Sequence, residues 1–174
     1  MAKVAFILAS DFEDSEFRVP YDRLTEAGHE VVVAGPSAGQ ELTGKKGNET
    51  VTPDTAISDL DPEDFDALVI PGGYSPDKLR LEESAVRFTR AMFNTGRTVA
   101  AVCHAGSLLV DADVIEGLTV TSWPSIRRDL ENAGATWVDQ EVVEEANLIT
   151  SRNPDDLPAF SDAILARLEE KVSA

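Results

Sequence analysis

The chain has 174 residues, enough for one domain with a substantial core, and its 43% hydrophobic content excludes a disordered acidic tail. Its 32 Asp and Glu residues against 15 Lys and Arg give a formal net charge of −17. Such a surface repels phosphate backbones and anionic membranes, so we expect no nucleic-acid or membrane partner. A single cysteine and a start without a signal-peptide pattern favour the reducing cytoplasm.

The acidic excess is larger than solubility alone requires. In molar salt the Debye length falls to about 3 Å, so the self-repulsion of such a chain is screened. We therefore expect adaptation to high salt, as in a protein from a halophile, in preference to ordinary solubilising charge.

Short apolar runs alternate with segments of helical periodicity, which predicts a single α/β domain with a mainly parallel sheet over residues 1–174. Pro20 lies inside the first helical pattern and predicts a kink or an offset start. The first half is predicted to contain, in chain order, a buried strand at 4–9, a helix with Phe17, Tyr21 and Leu24 on one face, a strand at 30–34, and a polar stretch with a small hairpin at 35–64.

The second half continues the alternation of strands and helices. Its predicted elements are a strand at 66–70, a helix with Ala85, Phe88 and Met92 on one face, a strand at 98–102, a short helix with Ile126, Leu130 and Ala133, a strand pair at 141–143 and 148–150, and a last helix with Phe160, Ile164, Leu168 and Val172 on one face.

Three loops with reactive side chains follow predicted strands, at residues 10–16, 71–77 and 103–107. In an open parallel sheet, ligands bind beyond the carboxyl ends of the strands. The sequence therefore predicts that these loops form the functional site.

Cys103 has the sequence surroundings of a nucleophile elbow, in which a sharp strand-to-helix turn exposes the nucleophile. Small residues lie two positions before and after it, Ala101 and Ala105, as close packing of strand and helix requires. A helix N-terminus favours thiolate over thiol. A lone cysteine is more often a small buried hydrophobe, but the strand end and the adjacent histidine favour a reactive Cys103.

His104 is the candidate general base, and it needs a partner that orients its ring. His29, the other histidine, lies in a predicted turn and is interpreted as a surface residue. The two histidines and the cysteine lack metal-ligand spacing, so we expect no metal.

Gly72 and Gly73 follow a buried strand and are candidates for an oxyanion hole. The alternative is that the turn needs glycine only for its backbone conformation. Without a glycine-rich nucleotide motif, we expect no cofactor.

These motifs resemble those of the PfpI-type intracellular proteases, which belong to the superfamily of the Parkinson-associated protein deglycase. The resemblance rests on the Cys-His pair, on Pro-Gly-Gly at 71–73 and on the acidic segment at 11–16. It extends nearly from end to end through Pro20-Tyr21, Ala27-Gly28-His29-Glu30, Thr43-Gly44-Lys45, the segment 63–68, Thr121-Ser122-Trp123-Pro124 and Thr150-Ser151-Arg152.

The resemblance implies a flavodoxin-like three-layer sandwich of the class I glutamine amidotransferase type. It implies Cys103 as nucleophile, Glu16 as the acid that tunes the cysteine pKa, and Gly73 and His104 as oxyanion donors. The residue matching the family's His-orienting Glu, contributed by a neighbouring subunit, is the shorter Asp77. Trp123 occupies a pocket position where some relatives have Tyr. A homodimer or homohexamer is implied as well.

The expected function is that of a cysteine-dependent enzyme in stress response or protein quality control. Peptidase, deglycase and glyoxalase activities stay open, with peptides, glycated proteins or small dicarbonyls as substrates. A non-enzymatic redox sensor that oxidises Cys103 is the alternative. A glutaminase-type amidotransferase is disfavoured because those enzymes need a distant histidine and none follows His104.

Overall fold

The structure is a computed structural model that describes residues 1–173, with side chains through residue 170, so the side chain of Val172 lies outside the described part. The strands are β1 (Lys3–Ile7), β2 (Glu30–Gly35), β3 (Leu42–Thr43), β4 (Thr50–Val51), β5 (Thr55–Ala56), β6 (Ala67–Ile70), β7 (Thr98–Val102), β8 (Thr119–Val120), β9 (Thr136–Trp137), β10 (Val143–Glu145) and β11 (Leu148–Ser151). The helices are α1 (Asp14–Glu26), α2 (Ser75–Leu79), α3 (Glu83–Asn94), α4 (Gly106–Ala112), α5 (Arg127–Asn132) and α6 (Leu157–Ser173).

The main sheet has the strand order β10-β11-β7-β6-β1-β2-β5 within the described residues. All neighbours are parallel except β10, which pairs antiparallel with β11 at one edge. Because β1, β6 and β7 run side by side, the loops that follow them meet at one edge of the sheet. The predicted convergence of three loops is therefore confirmed.

Both faces of the sheet are covered, as the continuous apolar strands predict. Alternate residues of β1 enter different cores: Phe6 packs on the side of α1 and α6, and Ile7 on the side of α3 and α4. On the first side Phe17 packs edge-on against Phe6, with ring centroids 5.8 Å apart. These layers form the predicted three-layer α/β sandwich. Within the described residues, no helix is long and apolar enough to cross a membrane.

Several local boundaries differ from prediction; the first strand, for example, ends at Ile7 and not at residue 9. One uninterrupted helix, α1, begins at Asp14 and contains Pro20 in its interior, so a start offset to the proline is wrong. The strand predicted at 141–143 is displaced to Val143–Glu145, since Glu145 pairs with Leu148 across a two-residue turn. The length of that turn sets the register, with Ala146 in the left-handed region at φ 52°.

The turn between β3 and β4 is fastened to the beginning of α1. The buried Asp14 carboxylate accepts backbone N–H bonds from Lys46, Asn48 and Glu49 at 2.8–2.9 Å. Although burial opposes ionisation, these N–H groups hold the pKa of Asp14 below its usual value. A Cβ on Gly44 would lie 2.4 Å from this carboxylate, so only glycine fits there. The turn is therefore held beside the acidic segment at 11–16.

Candidate active site

Cys103 lies at a strained turn between β7 and α4. Its φ is 61°, a left-handed conformation that is costly for a residue with a side chain. The next residues form a short 3-10 turn that leads into the helix, and Ala105 there is fully buried. The Cys103 residue is only 7% exposed. This is the geometry of a nucleophile elbow, as the sequence predicts.

The His104 ring connects the cysteine to a serine. Its Nδ1 lies 3.2 Å from Cys103 Sγ, and its Nε2 lies 3.2 Å from the hydroxyl of Ser125. Burial, with a smaller effect from the positive charge of Lys45, lowers the pKa of His104 and favours the neutral ring. If Nδ1 accepts the thiol proton, Nε2 carries the ring hydrogen and donates it to Ser125. The pair thus has the arrangement of a base and its orienting group.

Replacing Ser125 by alanine is expected to lower kcat about tenfold and to leave KM nearly unchanged, because the His104 ring loses the partner that fixes its tautomer. A Ser125→Thr variant keeps the hydroxyl and should recover most of the loss. The check is steady-state kinetics across pH. An unchanged kcat in Ser125→Ala would show that the hydroxyl has no orienting role.

Glu16 presents a protonated carboxyl to the cysteine. The residue is fully buried, and its Oε1 accepts an N–H bond of 2.8 Å from Gly72. Within the described residues, Oε2 has no partner that meets hydrogen-bond geometry, and the carboxyl as a whole interacts with the Cys103 thiol. Burial, reinforced by the charge of Glu13, raises the pKa of Glu16 to about 8. At neutral pH the carboxyl therefore holds a proton that it can donate to sulfur.

The Cys103 thiol and Glu16 act as a coupled pair. Burial, followed by the negative charge of an ionised Glu16, raises the pKa of Cys103 to about 12, and the backbone N–H groups of Gly73 and His104 oppose this. When Glu16 keeps its proton, the second cause disappears and a hydrogen bond to the thiolate replaces it. The reactive form of the pair is a thiolate beside a neutral carboxylic acid.

Gly72 and Gly73 lie where no larger residue fits. A Cβ on Gly72 would approach Glu16 Oε1 to 2.5 Å and the Cys103 Cβ to 2.8 Å. Gly73 has φ 74°, and a Cβ there would lie 2.5 Å from the backbone nitrogen of Glu13. Close backbone approach brings the N–H of Gly73 to the sulfur, together with that of His104. These two donors form the candidate oxyanion hole, and Gly72 supports Glu16 instead.

Gly73→Ala is expected to lower kcat/KM by about 10²-fold, because the new Cβ displaces an oxyanion donor. The matched control is Gly39→Ala, which has the same φ of 74° but no atom within 4 Å of a new Cβ. Both variants place alanine at a φ of 74°, which costs about 1 kcal/mol, and only Gly73→Ala adds a clash with neighbouring backbone atoms. Thermal unfolding and kinetics of the two separate strain from catalysis, and equal activities would contradict the assignment.

The structure leaves the remaining two predicted residues at the edge of the site. Asp77 is exposed in α2, and within the described chain the hydrogen bonds of the His104 ring do not involve it. Trp123 donates its backbone N–H to the Cys103 carbonyl at 3.1 Å, and its ring stacks with His104 at 6.3 Å. Trp123 is 40% exposed, so its ring, stacked on His104, is open to solvent at the edge of the site.

Sequence reasoning missed Ser125 and Glu13. Ser125 is 21 positions from His104 and belongs to no pattern that marks a partner for the ring. Glu13 is one of 32 carboxylates, yet it is buried between two lysines beside Glu16. Groups of three or more His, Cys, Asp or Glu residues arranged to hold a metal ion are absent from the described residues.

Comparison with known proteins decides the family. The sequence pattern of the DJ-1/PfpI family matches residues 2–167. The chain belongs to the DJ-1/PfpI family. The family assignment agrees with the elbow geometry at Cys103 and with the mainly parallel sheet.

Members of the DJ-1/PfpI family with curated names match almost the whole chain. Protein/nucleic acid deglycase 2 of Escherichia coli is 48% identical over 167 residues, covering 95% of this chain and 97% of the relative. General stress protein 18 of Bacillus subtilis is 47% identical, covering 97% and 98%. A putative cysteine protease of B. subtilis is 47% identical, covering 91% of this chain and 94% of the protease.

Solved structures of the family share the fold. Drosophila melanogaster DJ-1beta superposes with a TM-score of 0.87 at 32% identity, covering 94% of this chain and 88% of that one. A two-domain protein of Anabaena variabilis with DJ-1/ThiJ/PfpI-like and ferritin-like domains gives a TM-score of 0.96 at 41% identity. The comparison covers 97% of this chain and 48% of the Anabaena protein.

Proposed function

We propose that this protein is a cysteine-dependent deglycase that also converts free dicarbonyls, acting in the cytoplasm as part of a stress response. The observation that carries the proposal is the strained Cys103, with His104 Nδ1 at 3.2 Å and a protonated Glu16 beside it. The names of the E. coli deglycase and the B. subtilis stress protein support it.

The first step joins the Cys103 sulfur to the aldehyde-level carbon of the substrate. With free methylglyoxal, sulfur adds to the carbonyl and its π electrons move to oxygen, which takes a proton to give a hemithioacetal. With a glycated amine, sulfur replaces nitrogen on the same carbon and the amine leaves with the thiol proton. The N–H groups of Gly73 and His104 stabilise the negative oxygen.

The second step moves a proton between neighbouring carbons. Neutral His104 removes the proton from the carbon bonded to sulfur and passes it to the oxygen of the adjacent carbon. The protonated Glu16 delivers its proton to that adjacent carbon and takes back the hydroxyl proton from the carbon bonded to sulfur, so both residues regain their starting protonation. The resulting 2-hydroxyacyl thioester is hydrolysed by water, which regenerates the thiol. The net reaction is dicarbonyl plus water to a 2-hydroxy acid, without an external oxidant or reductant.

The test uses N-acetyl-lysine glycated by methylglyoxal. The amine and lactate should both appear, with amine release faster than the spontaneous dissociation of the adduct. If amine release never exceeds that spontaneous rate, the enzyme consumes only free dicarbonyl and is not a deglycase. A peptide substrate is assayed in parallel because one relative is named a putative cysteine protease; peptide cleavage as the faster reaction would replace deglycation as the function.

The redox-sensor alternative predicts a different chemical outcome. A sensor oxidises stoichiometrically at Cys103 in mild peroxide, with the sulfinic acid held by Glu16, and turns over no carbonyl substrate. Intact mass after peroxide, combined with the lactate assay, separates the two functions.

We further propose that the protein is a homo-oligomer, a dimer or a hexamer, in which Asp77 reaches His104 of a neighbouring copy. The exposure of Asp77 and of Trp123 beside the site supports this. Asp77→Asn should lower activity about tenfold, and subunits of Asp77→Asn mixed with inactive Cys103→Ala subunits should regain activity above the Asp77→Asn level. Failure of mixing to raise the activity, with subunit exchange verified, would exclude a role across the interface.

A further inference from the structure

Three of the five lysines of this acidic chain lie around the segment that carries Glu16. Lys45 and Lys46 bind Glu13 at 2.9 and 3.0 Å, and Lys78 binds Asp11 at 2.7 Å. Acidic residues outnumber basic ones by more than two to one in the chain. The lysines of this chain are therefore concentrated around this segment.

The Glu13 carboxylate cannot neutralise both of its lysines. Glu13 is only 4% exposed, and its single negative charge faces two ammonium groups. Both lysines lie on a fixed turn: Lys45 donates its backbone N–H to the carbonyl of Phe12 at 2.9 Å, and the Asp14 carboxylate accepts the backbone N–H of Lys46. A rigid cation is a more selective partner for a ligand than a freely rotating one.

Lys45 is close enough to the reactive groups for its charge to act on them. Its positive charge affects the ionisation of Cys103, His104 and Glu16. Its Nζ lies 5.8 Å from the centre of the Tyr74 ring, and Tyr74 directly follows the oxyanion donor Gly73. The Lys45 side chain is 34% exposed, so its ammonium is open to a ligand that enters from solvent.

We infer that Lys45 and Lys46, held by Glu13, form an anion subsite that receives a carboxylate or phosphate carried by the substrate near its reacting carbon. The inference rests on the proposed function insofar as Cys103 is the reacting group. The subsite favours anionic carbonyl compounds over neutral ones of the same size. It also contacts the carboxylate of the 2-hydroxy acid that the proposed reaction forms.

The test compares alkylation of Cys103 by iodoacetate and by iodoacetamide, two reagents that differ by a negative charge. Cys103 is the single cysteine, so intact mass follows its modification without ambiguity. The ratio of the two rates cancels changes in thiolate content. Loss of one nearby charge in Lys45→Met should lower the iodoacetate-to-iodoacetamide ratio about fivefold. Lys46→Met should lower it less, because its side chain is 58% exposed.

Three matched variants sharpen the result. Lys45→Arg keeps the charge and should keep the ratio. Glu13→Gln removes the opposing charge and should raise it. Lys3→Met, which removes a lysine paired with Glu30 outside the cluster, should leave it unchanged. An unchanged ratio in Lys45→Met, or an equal fall in Lys3→Met, would overturn the subsite.

Competition identifies the anionic group. Acetate and inorganic phosphate are added separately, at constant ionic strength, during alkylation of the wild-type protein by iodoacetate. Protection by acetate alone assigns a carboxylate, and protection by phosphate alone assigns a phosphoryl group; protection by neither overturns the subsite. The iodoacetate-to-iodoacetamide ratio is measured without turnover. If Lys45→Met lowers this ratio but the wild-type protein turns over no carbonyl substrate, the proposed function is refuted and the subsite stands.

Discussion

Cys103→Ala is expected to lower turnover of methylglyoxal and of glycated amines by at least about 10⁴-fold. The chain has no second thiol that could replace it. The remaining donors at Gly73 and His104 can polarise a carbonyl but cannot form the bond that the proton transfer requires. Loss of lactate formation and of amine release, measured on the same preparation, is the readout.

The matched control for this substitution is Ser161→Ala. Ser161 is 1% exposed and lies in α6, and its hydroxyl has no partner within the described residues. Both changes remove one buried atom, but only one removes the nucleophile. Thermal unfolding should show both variants folded. Undiminished turnover in Cys103→Ala would remove the basis of the proposed mechanism.

Glu16→Gln is expected to reduce kcat about 10²- to 10³-fold, because glutamine cannot deliver a proton between the substrate carbons. Its amide oxygen can still accept from Gly72, and its NH₂ can still donate to the Cys103 thiolate. Alkylation of Cys103 by iodoacetamide should therefore continue at a similar rate. A variant that loses both alkylation and turnover would show that Glu16 only sets thiol reactivity.

The same substitution should change how stability depends on pH. The folded state raises the pKa of Glu16 from 4.5 to about 8, so folded protein holds this proton while unfolded protein releases it. The free energy of unfolding therefore falls as pH rises from about 5 to about 8, by on the order of 3 kcal/mol from this group. Glu16→Gln should lack that fall and unfold at higher temperature than wild type at pH 8.

Glu13→Gln is the control for the pH effect, because it changes a neighbouring buried carboxyl that is bound by lysines. It should retain most of that decline, over a narrower pH range, because burial still raises the pKa of Glu16 while the contribution from the Glu13 charge is lost. If wild type and Glu16→Gln show parallel curves, Glu16 is ionised in the folded protein and cannot act as the proton donor.

The sequence predicts the layered fold well because the central strands β1, β6 and β7 consist almost entirely of apolar residues, and the order of strands and helices restricts the topology. Apolar periodicity cannot determine details that depend on distant partners. Turn length sets the position of β10, and the docked turn at 44–49 sets the beginning of α1, where Asp14 binds its backbone.

The site is predictable where its chemistry is local in the chain. The elbow at Cys103 depends on the residues next to it in the chain. The turn at Gly73 needs a left-handed backbone conformation, which glycine favours. Glu16 is indistinguishable from other acids without the family resemblance, since its raised pKa comes from burial, reinforced by the charge of Glu13, and only the fold creates that environment. Ser125 and Glu13 acquire their roles through tertiary contacts alone. Adaptation to high salt stays a prediction from composition.

The most direct test of the central claim is the intact mass of the chain during turnover of methylglyoxal. Samples are quenched with acid, which preserves a 2-hydroxyacyl thioester on sulfur. We predict a transient species heavier by one methylglyoxal, with the addition on Cys103, that forms and decays as fast as lactate appears and is absent from Cys103→Ala. Lactate formation at the full rate with Cys103 unmodified throughout would contradict covalent catalysis by this residue.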